Sequence, residues 1–344
     1  MNLRALVRKN IFNLEPYSCA RDEFQGEASV YLDANESPYN SPYNRYPDPL
    51  QRSLKEKIAK IKGVRAEQIL IGNGSDESID LTFRVFCEPS VDNVVAMEPT
   101  YGMYKVCADI NNVEYRKVAL EDGFKLRSTK VLDAVDEYTK VIFLCSPNNP
   151  TGNLMDKAEI LKILTDFGGI IAIDEAYIDF AGCSGWLPKL DKYPNLVIYQ
   201  TFSKAWGLSS MRCGLAFARE EIIVLFNKVK YPYNISSLTQ NAVSEQLSKG
   251  DEQKNCWVEQ ILAERRPLID MLRQMKIVKE IYHSDANFIL IKVVDANKIY
   301  EYLTQKGIIV RNRSRVSLCD DCLRITVGTP DENHALVEAL KTYL

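Results

Sequence analysis

Histidine is almost missing from this chain: 344 residues include only His283 and His334. Ser-His-Asp catalysis and histidine-rich metal centres are hard to assemble from so few imidazoles. No apolar run reaches the ~18 residues of a membrane helix, and the start lacks a charged-then-apolar signal pattern, so a cytoplasmic protein is expected. A long basic run is absent too, and the net charge is −3, which argues against nucleic acid or an anionic membrane as partner. The nine cysteines are odd in number and irregularly spaced, as expected of mostly reduced thiols. Repeats and low-complexity segments do not occur. What remains is an ordinary globular composition, 46% hydrophobic and 26% charged, in a chain long enough for one large and one small domain.

Residues 1–29 read as an N-terminal arm, broken at Pro16-Tyr17 and expected to pack with the small domain. Val30 to Asp33 reads as a short strand, and Asn35 to Pro49 (NESPYNSPYNRYPDP) as an ordered loop. Leu50, Leu54, Ile58 and Ile61 then recur at helical spacing until Gly63. Strands follow at Ile69–Ile71, Val94–Met97, Val113–Val118, Val141–Cys145, Ile170–Ile173, Val197–Thr201 and Gly214–Ala218, with helices at Tyr101–Asp109 and Lys157–Phe167. Short, wholly apolar strands separated by crossover helices predict a doubly wound, mostly parallel α/β domain over residues 30–238. Ligands should gather at the carboxyl ends of its strands. Residues 239–344 read as a smaller α+β domain, with helices at Gln253–Met275, Lys298–Lys306 and Glu332–Leu344. Its strands are expected near Ile281, Phe288–Val293, Ile308–Arg311 and Leu323–Val327.

Chemistry concentrates after the strand ends. Thr201-Phe202-Ser203-Lys204 follows an apolar segment, and Arg212 stands eight residues past the lysine. Such a lysine suits a Schiff base to a phosphorylated aldehyde, with Ser203 and Arg212 on the phosphate. A solvated loop lysine is the plain alternative. Gly72-Asn73-Gly74-Ser75-Asp76-Glu77 joins a strand to a helix, so it offers either an anion-binding helix start or an ordinary N-cap at Ser75 or Asp76. No Gly-Lys-Ser/Thr follows, so it is not a P-loop. Ser146 to Gly152 (SPNNPTG) is a rigid turn that can aim an asparagine amide at a phenolate oxygen, or be a turn and no more. Asp174-Glu175-Ala176-Tyr177 ends a buried strand without an adjoining cation. A protonated ring nitrogen would satisfy Asp174, with Tyr177 reaching a phenolic oxygen; a metal ligand or Walker-B-type acid is the other reading.

These motifs, with Asp174 22 residues after Gly152 and Lys204 30 residues after Asp174, resemble the aminotransferases of the type I pyridoxal-phosphate fold. Within them the chain is similar to the histidinol-phosphate aminotransferase family over nearly its whole length. The stretches that carry this are Leu14-Glu15-Pro16-Tyr17 with Arg21, Ala34-Asn35-Glu36, Asn44 to Asp48, Phe86 to Pro89, Pro99 to Tyr104 and Cys322 to Gly328. The resemblance implies pyridoxal 5'-phosphate as cofactor, Lys204 as its anchoring lysine, Asp174 at the pyridine nitrogen, and Asn149 and Tyr177 at the phenolic oxygen. It puts Tyr101 against the ring and Ser75, Asp76, Thr201, Ser203 and Arg212 around the phosphate, with Tyr46 arriving from the partner subunit of a homodimer. Arg324 would take the carboxylate of glutamate, Arg311 with Tyr17 would favour a substrate phosphate, and Asn35 would join the substrate site. The implied reaction moves an amino group between histidinol phosphate and 2-oxoglutarate in histidine biosynthesis. An aromatic-amino-acid aminotransferase and an amino-acid-phosphate decarboxylase use the same catalytic group, and a non-catalytic regulator that binds the cofactor is the alternative from another class. Departures from the family are the short loop between Glu36 and Arg45, Ser37 for an asparagine, Trp206 for a phenylalanine and Ser209-Ser210 for Ala-Gly. Cys319 and Cys322 stand alone as a CxxC pair, with no second pair to complete a zinc site.

Overall fold

The short apolar runs form the middle of a seven-stranded sheet in the computed structural model, which describes residues 2–18, 20 and 29–343. The strands are β1 (Ile69–Asn73), β2 (Asn93–Glu98), β3 (Glu114–Ala119), β4 (Thr139–Cys145), β5 (Ile170–Asp174), β6 (Leu196–Thr201) and β7 (Cys213–Phe217), ordered 1-7-6-5-4-2-3 across the sheet. Every neighbouring pair from β3 to β6 is parallel, and only β7 runs against its neighbours. Wholly buried strands such as β5 and β6 require cover on both faces, which explains why their sequences are apolar at every position rather than at alternate ones.

Register decides what meets at the sheet's edge. Cys145 pairs with Asp174 and Asp174 with Tyr199, so the turns after β4, β5 and β6 start side by side. Because β7 is antiparallel, its first residue, Cys213, lies opposite Asn73 at the end of β1. Arg212 and the start of the helix Ser75–Phe86 therefore reach the same edge. Their approach needs two glycines. Gly74, at φ +76°, donates its N–H to the Arg212 carbonyl at 2.7 Å, and a Cβ on Gly214 would stand only 2.1 Å from the Ser75 nitrogen.

The small unit is a four-stranded antiparallel sheet of β8 (Val278–Ile281), β9 (Phe288–Val293), β10 (Arg311–Asn312) and β11 (Cys322–Thr326), ordered 10-11-9-8. Alternation splits its faces. Ile289, Ile291, Leu323 and Ile325 join Leu268, Leu272, Leu336 and Val337 from the helices Glu252–Arg273 and Pro330–Lys341 in a separate core. Phe288, Leu290 and Cys322 point the other way and pack into the large core. The helix Pro330–Lys341 starts as its sequence dictates, with Thr329 and Glu332 in a capping box and proline at the first position.

Several expectations are corrected. The described start of the arm packs on the large unit: Val7 and Ile11 enter the large core, Arg8 N–H bonds the Val85 carbonyl, and Lys228 bonds the Phe12 carbonyl. Arg21 lies outside the described residues. Val30–Asp33 is not a strand; Leu32 is 91% exposed, and an apolar run makes a strand only where a neighbour supplies the ladder. The expected strand Ile308–Arg311 shrinks to Arg311–Asn312, where pairing with β11 begins. The helices Glu220–Val229 and Ser237–Ser248 were not anticipated, and the second spans the expected domain boundary at 238/239 while packing on the helix Arg52–Lys62.

Gly214→Ala should push the helix start off the β7 edge. An overpacked site of this kind costs ~1–3 kcal/mol, so a thermal unfolding midpoint several degrees lower is expected; an unchanged midpoint would show that the close approach is not needed.

Candidate active site

Lys204 sits in the turn after β6, held by Gly207 N–H on its carbonyl and by Ser203 N–H on Thr201 Oγ1 at 3.1 Å. Its amine lies 5.6 Å from the centre of the Tyr177 ring. The surrounding protein holds the Lys204 pKa below the ordinary lysine value, and Arg324 and Arg212 add to the shift. A larger share of Lys204 is thus the neutral, nucleophilic amine near neutral pH.

Asp174 terminates β5 in full burial. Oδ2 accepts from the Tyr104 hydroxyl at 2.8 Å, and Oδ1 accepts from the Ala176 N–H at 3.0 Å. Among the described residues it has no ion pair. Burial pushes its pKa up to about 6, against the downward pull of those two hydrogen bonds. The charge of Lys204 also pulls it down, but no cation among the described residues is in ion-pair contact with it, and a protonated pyridine nitrogen is a planar cation of the right size. Tyr104 is itself seated by stacking on Phe143 at 5.0 Å, with Tyr101 edge-on at 5.7 Å.

The start of the helix Ser75–Phe86 also lines the cavity. The N-cap of the helix Ser75–Phe86 is Gly74, so neither Ser75 nor Asp76 is the N-cap, and no side chain caps the helix start. Its first N–H groups and the helix dipole suit a phosphate. Arg212, in the left-handed conformation at φ +49°, places Nη2 3.5 Å from Asp76 Oδ2, and Tyr101 donates to Asp76 Oδ1 at 2.9 Å. Asn149 completes the wall: its Oδ1 accepts from Arg324 Nη1 at 2.5 Å. The adjacent Asn148 works structurally, bonding the Pro99 carbonyl and the hydroxyls of Thr100 and Thr151.

One cavity therefore gathers Ser75, Asp76, Tyr101, Asn149, Asp174, Tyr177, Thr201, Ser203, Lys204 and Arg212. Arg324 enters through Asn149. Four expected residues lie elsewhere in the single chain. Tyr46 stacks on Tyr233 at 4.5 Å, and with Asn35 it lines a second, open cavity. Tyr17 is 71% exposed, and Arg311 is exposed opposite Arg324 in the β10–β11 ladder. Sequence reasoning missed Tyr104, whose place three residues after Tyr101 on a helix was the available signal, and Cys145, which lines the cavity floor. Cys319 and Cys322 are buried free thiols, and no cluster of metal-ligating side chains occurs among the described residues.

A mostly parallel sheet with a lysine, a buried carboxylate and a phosphate cradle on its carboxyl edge defines a pyridoxal-phosphate-dependent transferase of the type I fold. The chain belongs to the class I and II aminotransferases: that family's model matches residues 23–340. The histidinol-phosphate aminotransferase of Bacteroides thetaiotaomicron is 56% identical over 342 residues, 99% of each chain. That of Parabacteroides distasonis is 54% identical over 340 residues, covering 99% of this chain and 98% of the relative. Among solved structures, the histidinol-phosphate aminotransferase from Clostridium acetobutylicum superposes with a TM-score of 0.80 at 24% identity, over 87% of this chain and 90% of that one. The Sinorhizobium meliloti enzyme, solved in complex with pyridoxal-5'-phosphate, gives 0.79 at 21% identity, over 87% and 84%.

The Asp174 assignment has a consequence for stability. A carboxyl whose pKa is higher in the fold than the ordinary 3.8 costs nothing at about pH 3, where both states hold the proton. The cost develops as pH rises and is complete above about 6. Cofactor-free Asp174→Asn should therefore match the wild type near pH 3–4 and exceed it near pH 8 by up to about 3 kcal/mol. With cofactor bound, the wild type should regain the advantage. Unfolding midpoints across pH check this, and a pH-independent difference would remove the uncompensated carboxylate.

Proposed function

We propose that this protein transfers an amino group between histidinol phosphate and 2-oxoglutarate, yielding imidazole-acetol phosphate and glutamate in histidine biosynthesis. The observation that carries the reading is identity above 50% across the full length to histidinol-phosphate aminotransferases, and one cavity of the chain that gathers Lys204, Asp174, Tyr177 and Arg212 supports it.

Pyridoxal 5'-phosphate, bound in this cavity, supplies a cationic ring that delocalises the charge left when a substrate Cα loses its proton. Asp174 is the group that keeps the ring nitrogen protonated, since a buried carboxylate with no other cation favours the charged partner. Ser75, Thr201, Ser203, Arg212 and the N–H groups of the helix start would hold the phosphate. Tyr101 would cover the ring, and Asn149 and Tyr177 would donate to its phenolic oxygen. Burial holds the Tyr177 phenol far above its ordinary pKa, so it remains a donor. Lys204 Nζ takes the proton from the substrate Cα, a role that its lowered pKa fits. Arg324 would dock the substrate's anionic group beside Asn149, and Arg311 and Tyr17, exposed in the single chain, would reach a substrate phosphate only in the assembled site.

The same reading makes the working unit a homodimer with shared sites. Val30, Tyr31, Leu32, Tyr39, Tyr43, Tyr46 and Leu238 are exposed on the single chain, an apolar surface that a second copy would cover. Tyr46 would then reach the partner's phosphate cradle. The eight free cysteines among the described residues suit a reducing, cytoplasmic setting.

Purified protein should convert histidinol phosphate with 2-oxoglutarate, and Lys204→Ala should lose the cofactor's visible absorbance and nearly all turnover. Activity on aromatic amino acids alone, or carbon dioxide release from an amino-acid phosphate, would replace the proposed substrate. Sedimentation at assay concentration should show a dimer, and a fully active monomer would refute the shared site.

A further inference from the structure

Two polar tethers join the small sheet to the segment that follows β4. The first is the hydrogen bond from Arg324 Nη1 to Asn149 Oδ1. The second comes from the loop between β8 and β9. Asp285 Oδ2 accepts from the Leu154 N–H at 2.7 Å, and the Asp285 N–H donates to the Gly152 carbonyl at 2.8 Å. The other carboxylate oxygen, Oδ1, meets His283 Nε2 at 3.0 Å. The two segments touch closely here, since a Cβ on Gly152 would stand 2.7 Å from Ser284 Oγ.

Both ends of the second tether are stiff. In the loop, Ser284 Oγ donates to the Phe288 carbonyl at 2.5 Å and accepts from the Ala286 N–H at 3.1 Å, while Arg265 Nη1 donates to the Ala286 carbonyl at 2.7 Å. In the turn, the Gly152 N–H bonds the Asn148 carbonyl, the Asn148 N–H bonds the Asn153 carbonyl, and Thr151 Oγ1 donates to Asn153 Oδ1. From the loop the chain runs straight into β9, whose register pairs Phe288 with Thr326 and Leu290 with Arg324. Phe288 also lies 5.2 Å from the Arg324 guanidinium carbon and edge-on to Tyr177 at 5.0 Å. The path from Asp285 through β9 and β11 to Arg324, and through Asn149 back to Gly152, is thus a closed ring of short links. Such a ring fixes where Arg324 stands relative to Asn149.

Ligands load the two tethers differently. Arg324 and Asn149 are the groups that would touch substrate and cofactor, so their mutual bond shares atoms with those ligands. Asp285 lines no part of the cavity and bonds main-chain groups, so its clasp persists when the site fills. A carboxylate on a main-chain N–H is also a charge-assisted bond, roughly twice as strong as a neutral one. We propose that Asp285 is a positioning residue: by clasping Gly152 and Leu154 it sets the distance between Arg324 on the small sheet and Asn149 on the large unit. That distance is the span across which a substrate is held, with its anionic group at one end and the cofactor's reacting carbon at the other. A misplacement of about 1 Å in such a span costs about 100-fold in rate. The role rests on the cofactor and substrate reading given under the proposed function, and adds to it a residue that touches neither ligand.

The test compares cofactor-loaded wild type with Asp285→Ala, Asp285→Asn, Asp285→Glu and His283→Ala. Asparagine keeps an acceptor at the same distance, whereas glutamate keeps the charge but moves it by a methylene. In Asp285→Ala, kcat/KM for histidinol phosphate and for glutamate should fall together by about 10- to 100-fold, because the clasp sets a distance and does not read the anion. The pH titration of the cofactor's visible absorbance, which needs no amino donor, should move to higher pH. A phenolic oxygen that loses the Asn149 donor holds its proton more tightly. Asp285→Asn should recover most of both effects, Asp285→Glu little, and His283→Ala should stay near wild type. An unmoved titration or unchanged kcat/KM in folded Asp285→Ala would overturn the proposal even if the unfolding midpoint falls, and so would a loss confined to one amino donor. Wild-type enzyme that ignores histidinol phosphate would instead sink the substrate reading, while the titration still decides on Asp285. If Asp285→Ala fails to fold, the longer and the isosteric variants decide: Asp285→Asn closer to wild type than Asp285→Glu in both readouts supports the clasp, and any other order refutes it.

Discussion

The constraint on which this site depends is a buried carboxylate with no ion-pair contact among the described residues. Asp174 sits at the end of a fully buried strand, with two hydrogen bonds and a pKa pushed up to about 6. Left empty, such a group ionises less readily than an ordinary carboxyl and destabilises the fold once it does. Beside a pyridine nitrogen it becomes half of an ion pair in a dry setting, where the interaction is strong. The fold thus holds the cost until the cofactor arrives. The neighbouring Glu175 shares the buried setting with a different outcome. Its carboxylate accepts from the Trp186 N–H and from Gln200 Nε2, and burial raises its pKa to about 7. It ties the turn after β5 to the Trp186 segment and to β6, and so keeps Asp174 and Tyr177 in register with Lys204.

The remaining machinery follows from sheet order. Parallel strands deliver the turns after β4, β5 and β6 to one edge, and the single antiparallel strand β7 brings Arg212 back to that edge from the opposite direction. Glycines at 74 and 214 let the helix start close on it, so a phosphate meets both N–H groups and a guanidinium. The cofactor would then be held at three separated points: nitrogen, aldehyde carbon and phosphate. The small sheet contributes the substrate end, with one face in its own core and the other carrying Arg324 to Asn149.

What the sequence determined by itself was local or linear. Unbroken apolar runs of four or five residues at Val141–Cys145, Ile170–Ile173 and Leu196–Tyr199 can be stable only inside a covered parallel sheet, and the residues that follow such strands must lie at its carboxyl edge. Lys204, Asp174, Asn149 and Arg212 were legible for that reason, and because their motifs resemble those of a known family. The tertiary structure alone decided what depends on a partner distant in the chain. Tyr104 became a support for Asp174 through contact across 70 residues. Val30–Asp33 is not a strand, and the described start of the arm docked on Val85 in the large unit. Which residue types occur near a strand end is written along the chain, but which charges remain unpaired there depends on packing, because burial and pairing belong to the folded surroundings of a group.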